Sequence, residues 1–441
     1  MDEQEFQISG GDRQRLRELA RKVRDLSQHP LNVERRRLWY ALDEGVADRP
    51  IVLAEFDAGL EMVKPDLVRR CEQPWARNQE TALLEKIVHF EDLRDDRVIE
   101  PFVGCPWFVT ASDYGVTVKY DKAAAPAEGR GAYHWDPPIK DLAGDFGQLH
   151  PRTFAVDRER SGRLRAALEE VYAGLLAVRR RGSHWWTMGM TWPLALLIGL
   201  EQLMVAMFDQ PAELHRLMAF LRDDHLAFVD WLEAEGLLTL NNENDYIGSG
   251  SQGYTRRLPK AEIPSPSPSP GGGGGKNAED KVDSPARASD LWVLLESQET
   301  VGVGPGQFEE FIFPYQADIA RRFGACYYGC CEPVHTRWHI IERLANLRRV
   351  SISPWCDQRI MAAALGNRYV FSRKPSPTLI STGDFDEAAI RADLAETLHL
   401  TAEAGCRSVE LIMKDVHTLH GQPDRLARWV QLARKEIERT W

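Results

Sequence analysis

Residues 323–335 have the sequence FGACYYGCCEPVH, in which an apolar run is followed by two thiols, a carboxylate and an imidazole. The part from Phe323 to Tyr328 has the length and aromatic content of a buried strand. Helix-like segments precede it, at residues 307–322, and follow it, at residues 334–344. The pattern predicts a strand between two helices, with two cysteines and a glutamate at the carboxyl end of the strand.

The same alternation of strands and helices extends along most of the chain. Apolar runs of strand length lie at residues 51–55, 98–103, 185–188, 238–240, 291–295, 325–328, 349–353, 369–372 and 409–413. Such alternation favours parallel strands joined by right-handed crossovers. We therefore predict an α/β fold, a TIM (β/α)8 barrel with an accessory strand. An open doubly wound sheet is the alternative, although no Gly-x-Gly-x-x-Gly motif follows the first strand to support a dinucleotide-binding fold.

The predicted domain organisation has three parts. Residues 1–48 form an amino-terminal helical extension, because apolar residues recur there with a helical period. Residues 49–441 form the barrel. A Pro/Ser/Gly loop at residues 262–285 interrupts the barrel and is expected to be flexible, because its composition cannot form a packed core. A tolerated insertion is the favoured interpretation of this loop, and a lid is the alternative.

Composition excludes several classes of protein. The chain has 441 residues, of which 43% are hydrophobic, so it can bury a large core. Its net charge of −11 argues against binding to nucleic acid. The amino terminus lacks a signal-peptide pattern, and the seven cysteines lack framework spacing, so we predict a cytoplasmic protein with reduced thiols. The longest apolar region, residues 185–208, is interrupted by Pro193 and Glu201 and is too broken for a membrane span.

Polar residues follow several of the predicted strands, where a barrel gathers its chemistry. Residues 241–246, NNENDY, offer amides and carboxylates that bind hydroxyl groups or a metal, although a turn built on Asn is the alternative. From this run and from two later strand ends we predict the substrate-binding residues Asn242, Asp245, Tyr246, Trp355, Arg373 and Lys374. The two cations among them are candidates for holding an anionic group.

The last predicted strand ends in residues 413–417, MKDVH. Alternate side chains of a strand share a face, so Asp415 and His417 are expected to point together while Lys414 points away. A histidine beside a carboxylate suits either a metal ligand with its orienting partner or a general base.

These residues and their order resemble the uroporphyrinogen decarboxylase superfamily, in particular its uncharacterised bacterial members near the corrinoid-dependent methyltransferases. The resemblance covers most of the chain from about residue 180 and is carried by residues 240–246, 328–333, 351–355, 372–375 and 413–417. The superfamily fold is a TIM barrel. The arginine-rich amino-terminal motif of the decarboxylase branch is absent from residues 1–60.

The resemblance implies a zinc site. The methyltransferase branch binds zinc through a His-x-Cys at one strand end and a later cysteine at another. Here Tyr328 stands in place of the histidine, Cys330 keeps the cysteine, and His417 falls close to the later cysteine. The implied ligands are therefore Cys330, His417 and Glu243, with Cys331 and Glu332 as further candidates. Three mixed ligands leave the open fourth position that a catalytic zinc needs.

The resemblance also implies an activity. The leading hypothesis is a zinc-assisted methyltransferase that moves a methyl group from a small O- or N-methylated substrate to a corrinoid carried by a partner protein. Glu243, Asp415 and Lys414 are its candidate catalytic residues, the carboxylates orienting or protonating the substrate. One alternative is a metal-independent decarboxylase in which Arg373 and Lys374 hold substrate carboxylates. A second alternative is a non-catalytic barrel that binds a small polar ligand.

Overall fold

A computed structural model describes residues 4–57, 59–122, 133–259 and 286–441. The loop predicted at residues 262–285 lies outside the described residues. Two helices, α1 (Gly10–Ser27) and α2 (Pro30–Glu44), account for most of the predicted amino-terminal extension. The boundary of that extension at residue 48 stays a prediction.

The strands follow in chain order as β1 (Ile51–Ala54), β2 (Phe102–Cys105), β3 (Phe108–Ala111), β4 (Lys119–Lys122), β5 (Tyr133–Asp136), β6 (Phe154–Asp157), β7 (Ala177–Arg180), β8 (Tyr246–Gly248), β9 (Ser251–Gln252), β10 (Trp292–Leu295), β11 (Ala325–Tyr328), β12 (Leu347–Ile352), β13 (Val370–Arg373) and β14 (Val409–Met413). The remaining α-helices are α3 (Pro74–Val88), α4 (Leu142–Asp145), α5 (Arg158–Tyr172), α6 (Thr191–Ile198), α7 (Leu200–Asp209), α8 (Pro211–Ala234), α9 (Pro305–Phe311), α10 (Phe313–Ala320), α11 (Trp338–Ile341), α12 (Gln358–Leu365), α13 (Thr378–Ser381), α14 (Glu387–Glu403) and α15 (Arg425–Thr440).

A six-stranded parallel sheet lies at the centre of the fold, in the order β1-β14-β13-β12-β11-β10. The first strand of the chain pairs with the last, with Ile51 opposite Glu410. All residues of β1, β10, β11, β13 and β14 are buried. Strands covered on both faces are continuous apolar runs rather than alternating ones, which explains why these segments were visible in the sequence.

Strands β2 and β7 pair in a separate two-stranded parallel sheet. The two parallel sheets together contain eight strands, the number in the predicted barrel. Within the described residues, however, no ladder joins β2 or β7 to the six-stranded sheet, so a closed barrel is not shown. The observed architecture is a mixed α/β fold with a parallel sheet and many helices.

Three other two-stranded sheets are antiparallel, namely β3–β6, β4–β5 and β8–β9. The prediction of strands at residues 185–188 and 238–240 is wrong, because neither segment contains a strand. The first of these segments is tied to the sheet by a hydrogen bond from Met188 N–H to the Leu294 carbonyl, at 3.0 Å. Conversely, β7 was not predicted, because its sequence, AVRR, is half charged.

Within the described part of the chain, no single helix is long and apolar enough to cross a membrane. Helices α6 and α7 have the length and apolar composition of a membrane span only when taken together, and the two helices are bent by 92° at Gly199.

Candidate active site

The carboxyl ends of the six parallel strands lie at one edge of the sheet, so the residues that follow them are brought together. These residues are Glu55, Phe56 and Asp57 after β1, Glu296 after β10, Cys330 and Cys331 after β11, Lys374 after β13, and Lys414 and Asp415 after β14. From the sequence, the residues that follow β11, β13 and β14 were predicted to lie close together.

A cavity of about 600 Å³ opens at this edge. It is lined by Glu55, Phe56, Asp57, Glu85, His89, Arg97, Trp186, Tyr246, Lys414 and Asp415. The volume is in the range of pockets that bind small molecules. Three of the predicted site residues, Tyr246, Lys414 and Asp415, are therefore brought together.

Two ionisable groups, Glu55 and Lys414, lie in the cavity wall. Burial raises the pKa of Glu55, although Arg97 and Lys414 act in the other direction. Burial lowers the pKa of Lys414, but the surrounding Cys330, Tyr246, Asp415 and Glu55 raise it by more, so its ammonium group stays charged. The Lys414 Nζ lies 3.3 Å from Asp415 Oδ1. Glu55 is thus a candidate proton donor beside a permanent cation.

A histidine and a carboxylate form a second unit of the cavity. His89 Nδ1 lies 2.9 Å from Asp95 Oδ2, and the imidazole stacks on Phe56 with ring centroids 4.9 Å apart. Burial lowers the pKa of His89, while Asp95 acts against this effect. The imidazole is therefore neutral near neutral pH. A neutral imidazole oriented by a buried carboxylate has the arrangement of a general base.

The cavity also presents aromatic surface to solvent. Trp186 and Tyr246 are 47% and 45% exposed, and Phe56, which also lines the cavity, is half-buried. The backbone of Asp415 adopts a positive φ of 58°, which is uncommon for a residue other than glycine. Such conformations are concentrated at functional sites, where the surrounding structure holds them.

The two adjacent cysteines lie next to this cavity. Cys330 is buried and Cys331 is exposed, and their Sγ atoms are 3.6 Å apart. The contact between the thiols lowers the pKa of Cys331 and raises that of Cys330. Lys414 and Asp415 are both close enough to act electrostatically on Cys331.

The predicted zinc ligands do not fit a zinc site. Among the described residues, no group of three or more His, Cys, Asp and Glu side chains is arranged to hold a metal ion. The two carboxylate oxygens of Glu332 accept hydrogen bonds from Ser297 N–H at 2.9 Å and Cys330 N–H at 2.8 Å. Glu243 is paired with two arginines, and His417 is exposed. The carboxylates that were expected to complete the metal shell thus have other partners.

Two predicted substrate-binding cations have structural roles instead. Arg373 is buried, pairs with Asp393 at 3.0 Å, and donates to the carbonyl oxygens of Ser353 and Lys374. Lys374 is also buried and donates to Tyr327 Oη at 2.9 Å. The two terminal nitrogens of the Arg373 guanidinium thus donate to protein groups and offer little to a substrate.

The run at residues 241–246 divides between two places. Tyr246 lines the cavity, whereas Glu243 and Asp245 both pair with Arg181, at 2.9 and 2.5 Å. Burial raises the pKa of Asp245 to about 6, against the effect of Arg181. Asn242 is buried and hydrogen-bonds the Pro259 carbonyl. Outside this run, Trp355 is 75% exposed and does not line the cavity.

Sequence reasoning missed His89, Arg97 and Glu85. All three lie between β1 and β2. Glu85 is in α3, His89 begins the five-residue π-helix that follows α3, and Arg97 is in the irregular segment before β2. No strand end marks them. A single turn of π-helix is often found at functional sites, but its sequence has no recognisable pattern.

No protein-family model matches the chain, and no curated protein matches it. Among solved structures, the chain is similar to a methyltransferase from Methanosarcina mazei, with 12% sequence identity and a TM-score of 0.49 over 91% of this chain and 97% of that chain. At this identity and TM-score, the activity of that protein is not carried over to this chain.

Proposed function

We propose that the protein is an enzyme that transfers a methyl group from a small O- or N-methylated substrate bound in the cavity. The observation that carries this proposal is that one cavity contains a carboxyl group whose pKa is raised by burial, Glu55, and an imidazole held by a buried carboxylate, His89. A proton donor and a proton acceptor in one cavity are what general acid–base catalysis of a transfer reaction needs.

The proposed step is a displacement at the methyl carbon. The electron pair of the acceptor forms the new bond to the methyl carbon, and an acceptor with an acidic proton, such as a thiol, first loses that proton to the His89 imidazole. The bond from that carbon to the substrate heteroatom breaks, and the heteroatom keeps the electron pair. An oxygen leaving group takes the proton of Glu55, because a protonated leaving group departs more readily. The methylated acceptor and the demethylated substrate are the products.

Three finer points belong to the same proposal. A corrinoid on a partner protein is the acceptor that the sequence resemblance implies, and a corrinoid nucleophile needs no deprotonation by His89. Zinc is not part of the proposed step, because the residues expected to bind it do not form a metal site. The eight strands of the two parallel sheets are proposed to complete a barrel around this cavity.

A second candidate function is decarboxylation. Arg97 and Lys414 both line the cavity, so two cations are placed where a substrate carboxylate can bind. These residues take the role expected earlier for Arg373 and Lys374. Proton delivery by Glu55 to the carbon that loses CO₂ requires no metal.

The test uses the full-length protein with a panel of small methyl ethers and methylated amines, and with reduced cobalamin or a small thiol as acceptor. We expect demethylated substrate and methylated acceptor in equal amounts. For ether substrates, Glu55→Gln is expected to lower kcat by about 100-fold or more, with a smaller change in KM, because a general acid contributes roughly 10²–10⁴-fold. Glu309→Gln, which changes an exposed carboxylate on α9, is the matched control.

Each other outcome decides against methyl transfer or against the role of Glu55 in it. Release of CO₂ from carboxylated substrates, lost in Arg97→Gln and Lys414→Gln, supports the second candidate. Ligand binding without turnover, unchanged by Glu55→Gln, supports a non-catalytic binding protein. Full activity of Glu55→Gln on ethers overturns the role given to Glu55.

A further inference from the structure

The vicinal pair Cys330 and Cys331 has a geometry that the proposed methyl transfer does not use. The two Sγ atoms are 3.6 Å apart, within contact distance. Cys330 is only 5% exposed, whereas Cys331 is exposed. The other free cysteines, Cys71, Cys105, Cys326, Cys356 and Cys406, are all buried. One thiol is therefore open to reagents and has a second thiol directly behind it.

The local backbone fixes the buried member of the pair. Gly329 precedes it with a φ of 97°, and a Cβ at this position would approach Ser351 Cβ and Val334 Cγ1 to 3.2 Å. Cys330 N–H donates to Glu332 Oε2 at 2.8 Å, and the Cys330 carbonyl accepts from Ser351 Oγ at 2.9 Å. The Cys330 thiol is held in place behind the exposed one.

The surroundings of the pair are polar and contain a cation. The contact with Cys330 lowers the pKa of Cys331; Lys414 acts in the same direction, and burial and Asp415 act against it. A lysine ammonium near a cysteine favours its thiolate, which is the reactive form. Accessible thiols next to a second cysteine are the typical arrangement of cysteines that undergo reversible oxidation.

We propose that Cys330 and Cys331 form a reactive vicinal dithiol that exchanges with small disulfides and closes reversibly to an intramolecular disulfide. The Cys331 thiolate attacks one sulfur of the small disulfide, which forms a mixed disulfide and releases one thiolate. Cys330 then gives up its proton and attacks Cys331 Sγ, which releases the second thiolate. Both released thiolates take protons, so a dithiol and a disulfide become a disulfide and two thiols.

Chain geometry makes the closed form easy to reduce. The Cα atoms of adjacent residues are about 3.8 Å apart across a trans peptide, whereas disulfides usually span about 4.4–6.8 Å between Cα atoms. The ring is therefore strained, and strained disulfides have more oxidising potentials than structural ones. The closed state is expected to open again with ordinary thiols.

Closure also changes the surroundings of two residues that line the cavity. Lys414 and Asp415 line the cavity and lie near Cys331. Bond formation draws Cys331 Sγ toward Cys330 and removes a titratable thiol from beside the Lys414 ammonium. The two redox states thus place different groups beside Lys414 and Asp415.

The test treats fully reduced, full-length protein with glutathione disulfide under native conditions and follows the intact mass and the modified peptides. The wild-type protein is expected to become lighter by two hydrogen atoms, with no lasting adduct and with residues 330 and 331 joined. Dithiothreitol is expected to restore the original mass. Cys330→Ser is expected to keep a glutathione adduct on Cys331, and Cys331→Ser is expected to form neither product.

Two further variants and measurements keep the result decisive. Cys356→Ser, which removes a buried cysteine in the segment that follows β12, is expected to close like the wild type. Circular dichroism and thermal unfolding establish that each variant is folded. A stable adduct on wild-type Cys331 without closure, or modification spread equally over the buried cysteines, overturns the proposal. None of these readouts depends on methyl transfer.

Discussion

At the scale of single residues, Lys374 shows how the sheet interior treats a charged group. Its ammonium donates to Tyr327 Oη at 2.9 Å and to the Ser372 carbonyl at 3.0 Å. Burial lowers the pKa of Lys374 to about 7, although Glu410 acts in the opposite direction. The side chain is a buried hydrogen-bond donor, and its charge is costly to keep.

This pKa predicts how stability depends on pH. Because folding lowers the pKa of Lys374 from 10.5 to about 7, the unfolded chain binds more protons between these values. Stability contributed by Lys374 therefore rises with pH from about 7 to 10.5, by at most about 1.4 kcal/mol per pH unit. Urea unfolding of the wild type and of Lys374→Met is measured across this range. The free energy of unfolding of the wild type is expected to increase with pH relative to that of the variant. A difference in the free energy of unfolding that does not change with pH contradicts the lowered pKa of Lys374.

The sequence identified some residues of the site and missed others for physical reasons. Lys414 and Asp415 were predictable because they end an apolar strand. His89 was not, because it lies in an irregular helix end with no period. Arg373 and Glu243 were predicted to act in the site but are held by Asp393 and by Arg181. The choice of ion-pair partner depends on tertiary packing, which the sequence pattern does not encode.

At the scale of elements, the buried parallel strands were the predictable part of the fold. Their apolar runs are long enough to stand out, whereas β7 and the three small antiparallel sheets have mixed or charged sequences. The segment at residues 185–190 illustrates the reverse error. It is apolar and extended against the end of β10, but only isolated hydrogen bonds connect it to the sheet.

Close backbone packing of this segment leads to a prediction at Gly189. A Cβ at this position would lie 2.3 Å from the Glu296 carbonyl oxygen and 2.9 Å from its nitrogen. Gly189→Ala is expected to destabilise the protein by about 3 kcal/mol or more, because overpacking against backbone typically costs about 1–3 kcal/mol and occasionally more. Gly162→Ala, in the open on α5, is expected to stabilise by about 0.5–1 kcal/mol. Equal effects in denaturant unfolding argue against this packing.

At the scale of the whole molecule, one buried carboxylate joins the first strand to the last helix. Asp96 pairs with Arg49, just before β1, at 2.8 Å and with Arg434 of α15 at 2.9 Å. It also accepts the Val52 N–H of β1 at 2.9 Å. Burial raises the pKa of Asp96, but these partners lower it by more than burial raises it, and the pKa is about 2.

Removal of this charge is expected to weaken the whole fold. Asp96→Asn leaves two arginines without their shared partner, and we expect a loss of about 3–5 kcal/mol at neutral pH. The folded pKa lies below the unfolded value of 3.8, so the contribution is present above about pH 4 and is lost as pH falls toward 2. The free energies of unfolding of the wild type and of Asp96→Asn at several pH values test this expectation. A stability deficit of the variant that is the same at pH 2 as at neutral pH contradicts it.

On the ribosome, β1 leaves the exit tunnel long before the strand with which it pairs. Ile51 lies opposite Glu410, so most of the chain must be synthesised between them, which takes on the order of tens of seconds at typical elongation rates. Helix α2 is made earlier and shares a core cluster with β1 through Leu38 and Leu42, so it can shield one face. The β14-facing edge of β1 stays open meanwhile, and unpaired edges recruit other extended chains. Nascent chains are therefore expected to depend on chaperones more than completed, released ones do.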